Sequence, residues 1–166
     1  LAVFEMDMSN GIISLTWDES IKLKSINASQ LTLQTHQHRA YGAHIFVGDS
    51  VVTSDVGIGS KVTTFTLSAN AMAYIKVAGI CKSIFTCYVS WTDKFLTDQF
   101  GNYAVPVWDS SVIGFYPLLT NKVYDASNIH VGYMFTPDTV APTCTRWQID
   151  RILNSVVLQF DEPVVA

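Results

Sequence analysis

The segment from Asp150 to Val164 restates the segment from Asp7 to Ile21. At a fixed spacing of 143 residues, Asp7 and Asp150, Leu15 and Leu158, Asp18 and Asp161, and Glu19 and Glu162 are identical pairs. Phe4/Trp147, Met6/Ile149, Ile13/Val156, Trp17/Phe160 and Ile21/Val164 keep size and polarity. Each copy reads as a strand, a turn, an alternating strand and an acidic stop, and self-similarity at a fixed period is the signature of a repeat architecture. The pattern predicts one full unit followed by the first hairpin of a second, drawn from a longer tandem array. The chain opens inside a strand pattern, as an interior segment of such an array would.

Composition narrows what the unit can be. Of 166 residues, 49% are hydrophobic and 14% charged, which is enough apolar material for one ordinary core and argues against disorder. The net charge of -4 comes with no basic run. Nucleic-acid binding needs clustered Lys and Arg to displace counterions, so that class is not expected. Apolar runs fall well short of the roughly 18 residues that would cross a bilayer as a helix.

Thr, Val, Ile, Phe and Tyr dominate and turn signals recur, which is the composition of a small all-β domain. Residues 1–7 read as a first strand, Ser9-Asn10-Gly11 as a tight reversal, and Ile13, Leu15 and Trp17 as the buried positions of an alternating second strand. Residues 25–30 read as a crossing loop or single helical turn before a strand at Leu31–Gln34. Gly48-Asp49-Ser50 has the chemistry of a hairpin turn between strands at 43–47 and 51–53, and Gly57-Ile58-Gly59-Ser60 that of a looser turn before a strand at 61–67. Ala71, Met72, Ile75 and Ala78 fall at helical spacing, with Ser68 as N-cap and Gly79 as stop, so one short helix is expected. Residues 84–91 alternate as the most strand-like piece, Thr97–Asn102 reads as a turn, and 104–108 as the closing strand. The division that follows is a sandwich over 1–108, an extended aromatic-rich connection over 109–136, a proline-bounded linker over 137–142 and the hairpin of the next repeat over 143–166.

Three short motifs carry a resemblance. Phe160-Asp161-Glu162-Pro163-Val164 (degenerate as Trp17-Asp18-Glu19-Ser20-Ile21), Thr97-Asp98-Gln99-Phe100-Gly101-Asn102 and Asp138-Thr139-Val140-Ala141-Pro142 resemble, in order and spacing, the signatures of bacterial-type Ig-like tandem repeats. Such repeats build long secreted surface and filament proteins of bacteria, algae and protists. The resemblance covers roughly residues 1–108 and 138–166. It implies an Ig-like antiparallel β-sandwich and a place outside the cell or on its surface, in a filament, stalk or adhesin.

Candidate sites are few. Cys81 and Cys87 lie six residues apart and would form a disulfide in a secreted chain, leaving Cys144 for another repeat or another chain; the alternative is three inert thiols. Asn27-Ala28-Ser29 is a glycosylation sequon in a polar loop. His36, His38 and His44 read as strand-end residues more readily than as metal ligands. Calcium is the one ion the acids would suit, if Asp18, Glu19, Asp98 and Asp138 met where units abut, although the simpler reading of Asp18-Glu19 is a solvated strand terminus. No nucleophile elbow, phosphate cradle or HExxH motif occurs. Asp98 and Asp109 make a poor glycosidase pair, because turn chemistry explains Asp98 better. No cofactor and no catalysis are expected.

Two functions remain in view. One is a non-catalytic structural module that self-associates with neighbouring repeats or identical chains, because an apolar hairpin carrying Val156, Leu158 and Phe160 must be covered by its own unit or another chain. The other is a carbohydrate-binding module using Trp108, Phe115, Tyr116 and Tyr133 of the aromatic-rich connection as stacking planes for glycans.

Overall fold

The first hairpin sets the frame. In the computed structural model, which describes residues 3–53, 60–107, 113–114 and 134–164, Val3–Asp7 (β1) and Ile12–Thr16 (β2) pair antiparallel. Side chains alternate across a strand, so Phe4, Met6, Ile13 and Leu15 share one buried face. The reversal is built by Asp7, whose Oδ1 accepts hydrogen bonds from the backbone N–H groups of Ser9 and Asn10. Gly11 completes it at φ 63°, a left-handed conformation that glycine adopts without steric cost. A Cβ there would also lie 3.0 Å from the Met72 side chain.

Two sheets grow around this frame. Val51–Thr53 (β5), Val62–Thr66 (β6) and Met134–Thr136 (β9) complete a five-stranded sheet in the order β5-β6-β2-β1-β9. All its pairings are antiparallel except β1 with β9, which run parallel. Leu31–Gln34 (β3), His44–Phe46 (β4), Tyr88–Trp91 (β7) and Ile113–Gly114 (β8) form a four-stranded sheet in the order β4-β3-β7-β8. Cys144–Asp150 (β10) and Ser155–Phe160 (β11) stand apart as a two-stranded sheet. Both larger sheets thus take a strand from beyond residue 108.

Three local expectations are corrected. Gly48-Asp49-Ser50 does not join a hairpin: β4 pairs with β3 while β5 pairs with β6, so the turn is a corner that carries the chain between sheets. Val47, fully buried with its N–H donated to the Leu31 carbonyl, pins that corner. Residues 84–86 form a 3-10 turn instead of extending β7, because Ser83 and Thr86 cap each other reciprocally and Cys81 N–H reaches back to the Thr86 carbonyl. Over residues 103–107, which include the described part of the expected closing strand, the chain makes isolated bridges, Trp91 with Val107 and Thr97 with Tyr103, in place of a strand.

The core joins both sheets. Phe4, Met6, Ile13, Leu15 and Phe65 from one and Leu31, Leu33, Val89 and Trp91 from the other belong to a single apolar cluster. Aromatic rings fill its middle: Trp17 meets Trp91 edge-on at 5.5 Å, and Phe95 stacks on Phe65 at 5.9 Å. Buried indoles need a partner for their N–H. Trp17 donates to Thr63 Oγ1 at 3.0 Å and Trp91 to the Val105 carbonyl at 3.0 Å. The one α-helix among the described residues, Ala69–Ala78 (α1), is capped by Ser68 and stopped by Gly79 at φ 70°, and it buries Ala71 and Ile75. The described residues are therefore mostly β-sheet, in several sheets with one short α-helix, which is compatible with an all-β fold.

Candidate functional site

Over residues 146–150 and 155–159 the terminal hairpin keeps the register of the first, before a bulge between Cys144 and Arg146. β10 and β11 pair Trp147 with Leu158, Ile149 with Val156 and Asp150 with Ser155, each shifted by 143 from Phe4 with Leu15, Met6 with Ile13 and Asp7 with Ile12. Its turn is the same device. Asp150 Oδ1 accepts from the N–H groups of Ile152 and Leu153, and Asn154 takes the left-handed position at φ 49°. What differs is the covering. Phe4 and Leu15 are fully buried, whereas Trp147 is 67% exposed and Leu158 54%. Ile149 and Val156, opposite each other on the same face, are exposed as well. Phe160, at the strand end, is only half-buried.

A lysine holds this hairpin to the larger body. Lys76, in the last turn of α1, pairs with Asp138 Oδ2 at 2.8 Å and with Glu162. A cation is favoured at that end of a helix because the unpaired carbonyls carry partial negative charge. Asp138 Oδ1 also accepts from Val140 N–H, so one carboxylate both shapes the linker and fixes it. The hydrogen bond from Lys76 holds the Asp138 carboxyl below the usual aspartate range, against the opposing effect of partial desolvation. Partial burial pulls the Lys76 ammonium down, but the hydrogen bonds and charges of Asp138 and Glu162 outweigh it and leave it above the usual lysine range. The linker is further tied to the first turn by Met8 N–H to the Thr136 carbonyl and Ser9 Oγ to the Pro137 carbonyl. Between the α1 face and the Asp161-Glu162-Pro163 stop lies a cleft of about 210 Å³ lined by Asn10, Gly11, Met72 and Lys76.

The four acids considered for calcium serve different tasks. Asp98 organises its own turn, with Oδ1 accepting from Phe100 and Asn102 N–H and Oδ2 from the Asn102 amide, whose hydrogen bond holds its carboxyl below the usual range. Asp18 and Glu19 lie along the same cleft as Asp98, with exposed side chains, while Asp138 is spent on Lys76. No group of three or more His, Cys, Asp or Glu suited to a metal occurs among the described residues. His36 bonds Thr35 through Nδ1, His38 meets Tyr41 edge-on and His44 meets Phe46 likewise.

Cys81 and Cys87 are joined by a disulfide, and both are buried, while Cys144 is a free, exposed thiol. Asn27 is exposed and caps a 3-10 turn, its Oδ1 accepting from Ser29 N–H and Oγ. Trp108, Phe115, Tyr116 and Tyr133 lie outside the described residues. No helix among the described residues is long and apolar enough to cross a membrane. Lys76 escaped sequence reasoning, although a lysine in the last turn of the only expected helix was a legible signal for an anion partner. No family model, curated protein or solved structure matches the chain.

Proposed function

We propose that this chain is a non-catalytic structural module of an extracellular tandem-repeat filament, stalk or adhesin, with the two larger sheets as an Ig-like sandwich and β10–β11 as the leading hairpin of a second unit. One observation carries the reading: a hairpin with the register and turn of β1–β2 presents outward the face that β1–β2 buries. Exposed apolar sheet faces of this kind are interaction surfaces, and the edges of β10–β11, unpaired among the described residues, invite strand addition. Assembly then proceeds through β-strand and repeat–repeat contacts, with neighbouring units or identical chains as partners. The Cys81–Cys87 bridge suits an oxidising compartment, and the exposed Asn27 sequon suits a glycoprotein of the cell surface. The alternative, a glycan-binding role, rests on Trp108, Phe115, Tyr116 and Tyr133, which lie outside the described residues.

The test is sedimentation of the full chain against W147D/L158D. Concentration-dependent association that the double variant abolishes, with the near-ultraviolet dichroism of the core unchanged, supports the reading. Association identical in both, or absent from both at high concentration, sinks it.

A further inference from the structure

We infer that the Asp18-Glu19-Ser20 end of β2 is a docking edge for the α1 face of a second copy of this module, and that copies join head to tail through the Lys76 of one and the Glu19 of the next. The inference rests on the tandem reading and specifies its joint. Asp161, Glu162 and Pro163 stand 143 residues after Asp18, Glu19 and Ser20, at the end of a strand with the same register. Within the chain, that later stop already sits on α1, with Glu162 paired to Lys76 and Pro163 lining the cleft. Does a complete unit leave the same acceptor reachable? It does: with both sheets assembled around β2, the side chains of Asp18 and Glu19 remain exposed.

The surroundings fit the same partner. Lys61 donates to the Asp18 carbonyl, which fixes the backbone of the stop without using its carboxylate. Phe100, which borders the cleft with Asp18 and Glu19, is 93% exposed. On α1, Val77 follows Ala73 by one helical turn and is also exposed, so an apolar contact is on offer beside the ion pair. A lysine-bearing helix end with an apolar flank thus meets an acidic strand end with an apolar flank. Such a contact is heterologous, uses different surfaces on the two copies, and propagates as an open chain.

The experiment is a tandem in which residues 1–143 run directly into a full copy of residues 1–166, preserving the repeat spacing. A zero-length carbodiimide couples amines to carboxylates in contact, and peptide mass spectrometry reads the product. The expected product joins Lys76 of the leading copy to Glu19 of the following copy. It is lost in Glu19→Gln, whose fold is verified by circular dichroism, and small-angle scattering shows the elongated shape of the tandem loosening in the same variant. The inference is overturned if the Lys76–Glu19 product is missing while Lys76 of the following copy still couples to Glu162. It is overturned equally if scattering is unchanged by Glu19→Gln. Failure of the W147D/L158D test would bear on the exposed sheet face and leave this joint as measured.

Discussion

Gly11 and Asn154 hold the same left-handed backbone, φ 63° and 49°, at the same place in two hairpins 143 residues apart. Only the first is pressed against a helix. Gly11→Ala must both strain the backbone and displace Met72, so it should cost about 1–2 kcal/mol in urea unfolding. Asn154→Gly, which relieves the backbone in an exposed turn, should leave the unfolding midpoint within about 0.5 kcal/mol of the parent.

Removing the lysine should free the hairpin without unfolding the body. Lys76→Ala leaves Asp138 and Glu162 facing each other, and Glu162 Oε1 is already buried without a hydrogen-bond partner among the described residues. Amide exchange in residues 138–164 should accelerate by a factor corresponding to about 1 kcal/mol, while β1–β7 stay protected. Lys76→Arg, whose fork offers several donors, should restore much of the protection.

Acidity and alkalinity should each open that joint. Asp138 has a lowered pKa when folded, so its contribution is full above the ordinary aspartate value of about 3.9 and is lost as pH falls through the lower folded value. Lys76 has a raised pKa, so its contribution is full below about 10.4 and is lost as pH rises through the higher folded value. Exchange rates in residues 138–164 should therefore be flat, once corrected for intrinsic chemistry, between about pH 5 and 9.5. Opening in the middle of that window would refute the assignment of these two groups to the joint.

Reduction should destabilise the body modestly. The Cys81–Cys87 bridge closes a short loop, for which chain entropy gives about 2 kcal/mol. Cys81→Ser/Cys87→Ser should lower the unfolding free energy by that amount. An unchanged free energy would mean that the capped 84–86 turn alone constrains the loop.

A core substitution sets the upper scale. Phe95 is fully buried and touches Trp17, Trp91 and Phe65, so Phe95→Ala should cost about 3–5 kcal/mol in the same unfolding assay.

Periodicity and caps were legible in the sequence because their causes are local. The alternation through Ile13, Leu15 and Trp17, the Ser68 and Gly79 bounds of α1 and the Asp98 turn each depend on neighbours within a few residues. Partner choice was not legible. Gly48-Asp49-Ser50 has hairpin chemistry, yet only the competing attraction of β3 for β4 and of β6 for β5 decides that it turns a corner. Residues 84–86 alternate like a strand, but reciprocal capping and the adjacent disulfide win over pattern. The acids lay in plain view, whereas Lys76 acquired meaning only when the fold brought residues 76, 138 and 162 together.

The parallel pairing of β1 with β9 has a mechanical corollary. In the five-stranded sheet β1 is entered at one pole and β9 is left at the other, so tension along the polypeptide drags them past each other lengthwise. The hydrogen bonds around Glu5–Met134, Met6–Phe135 and Asp7–Thr136 then resist together in shear, instead of parting one by one as in an unzipped hairpin.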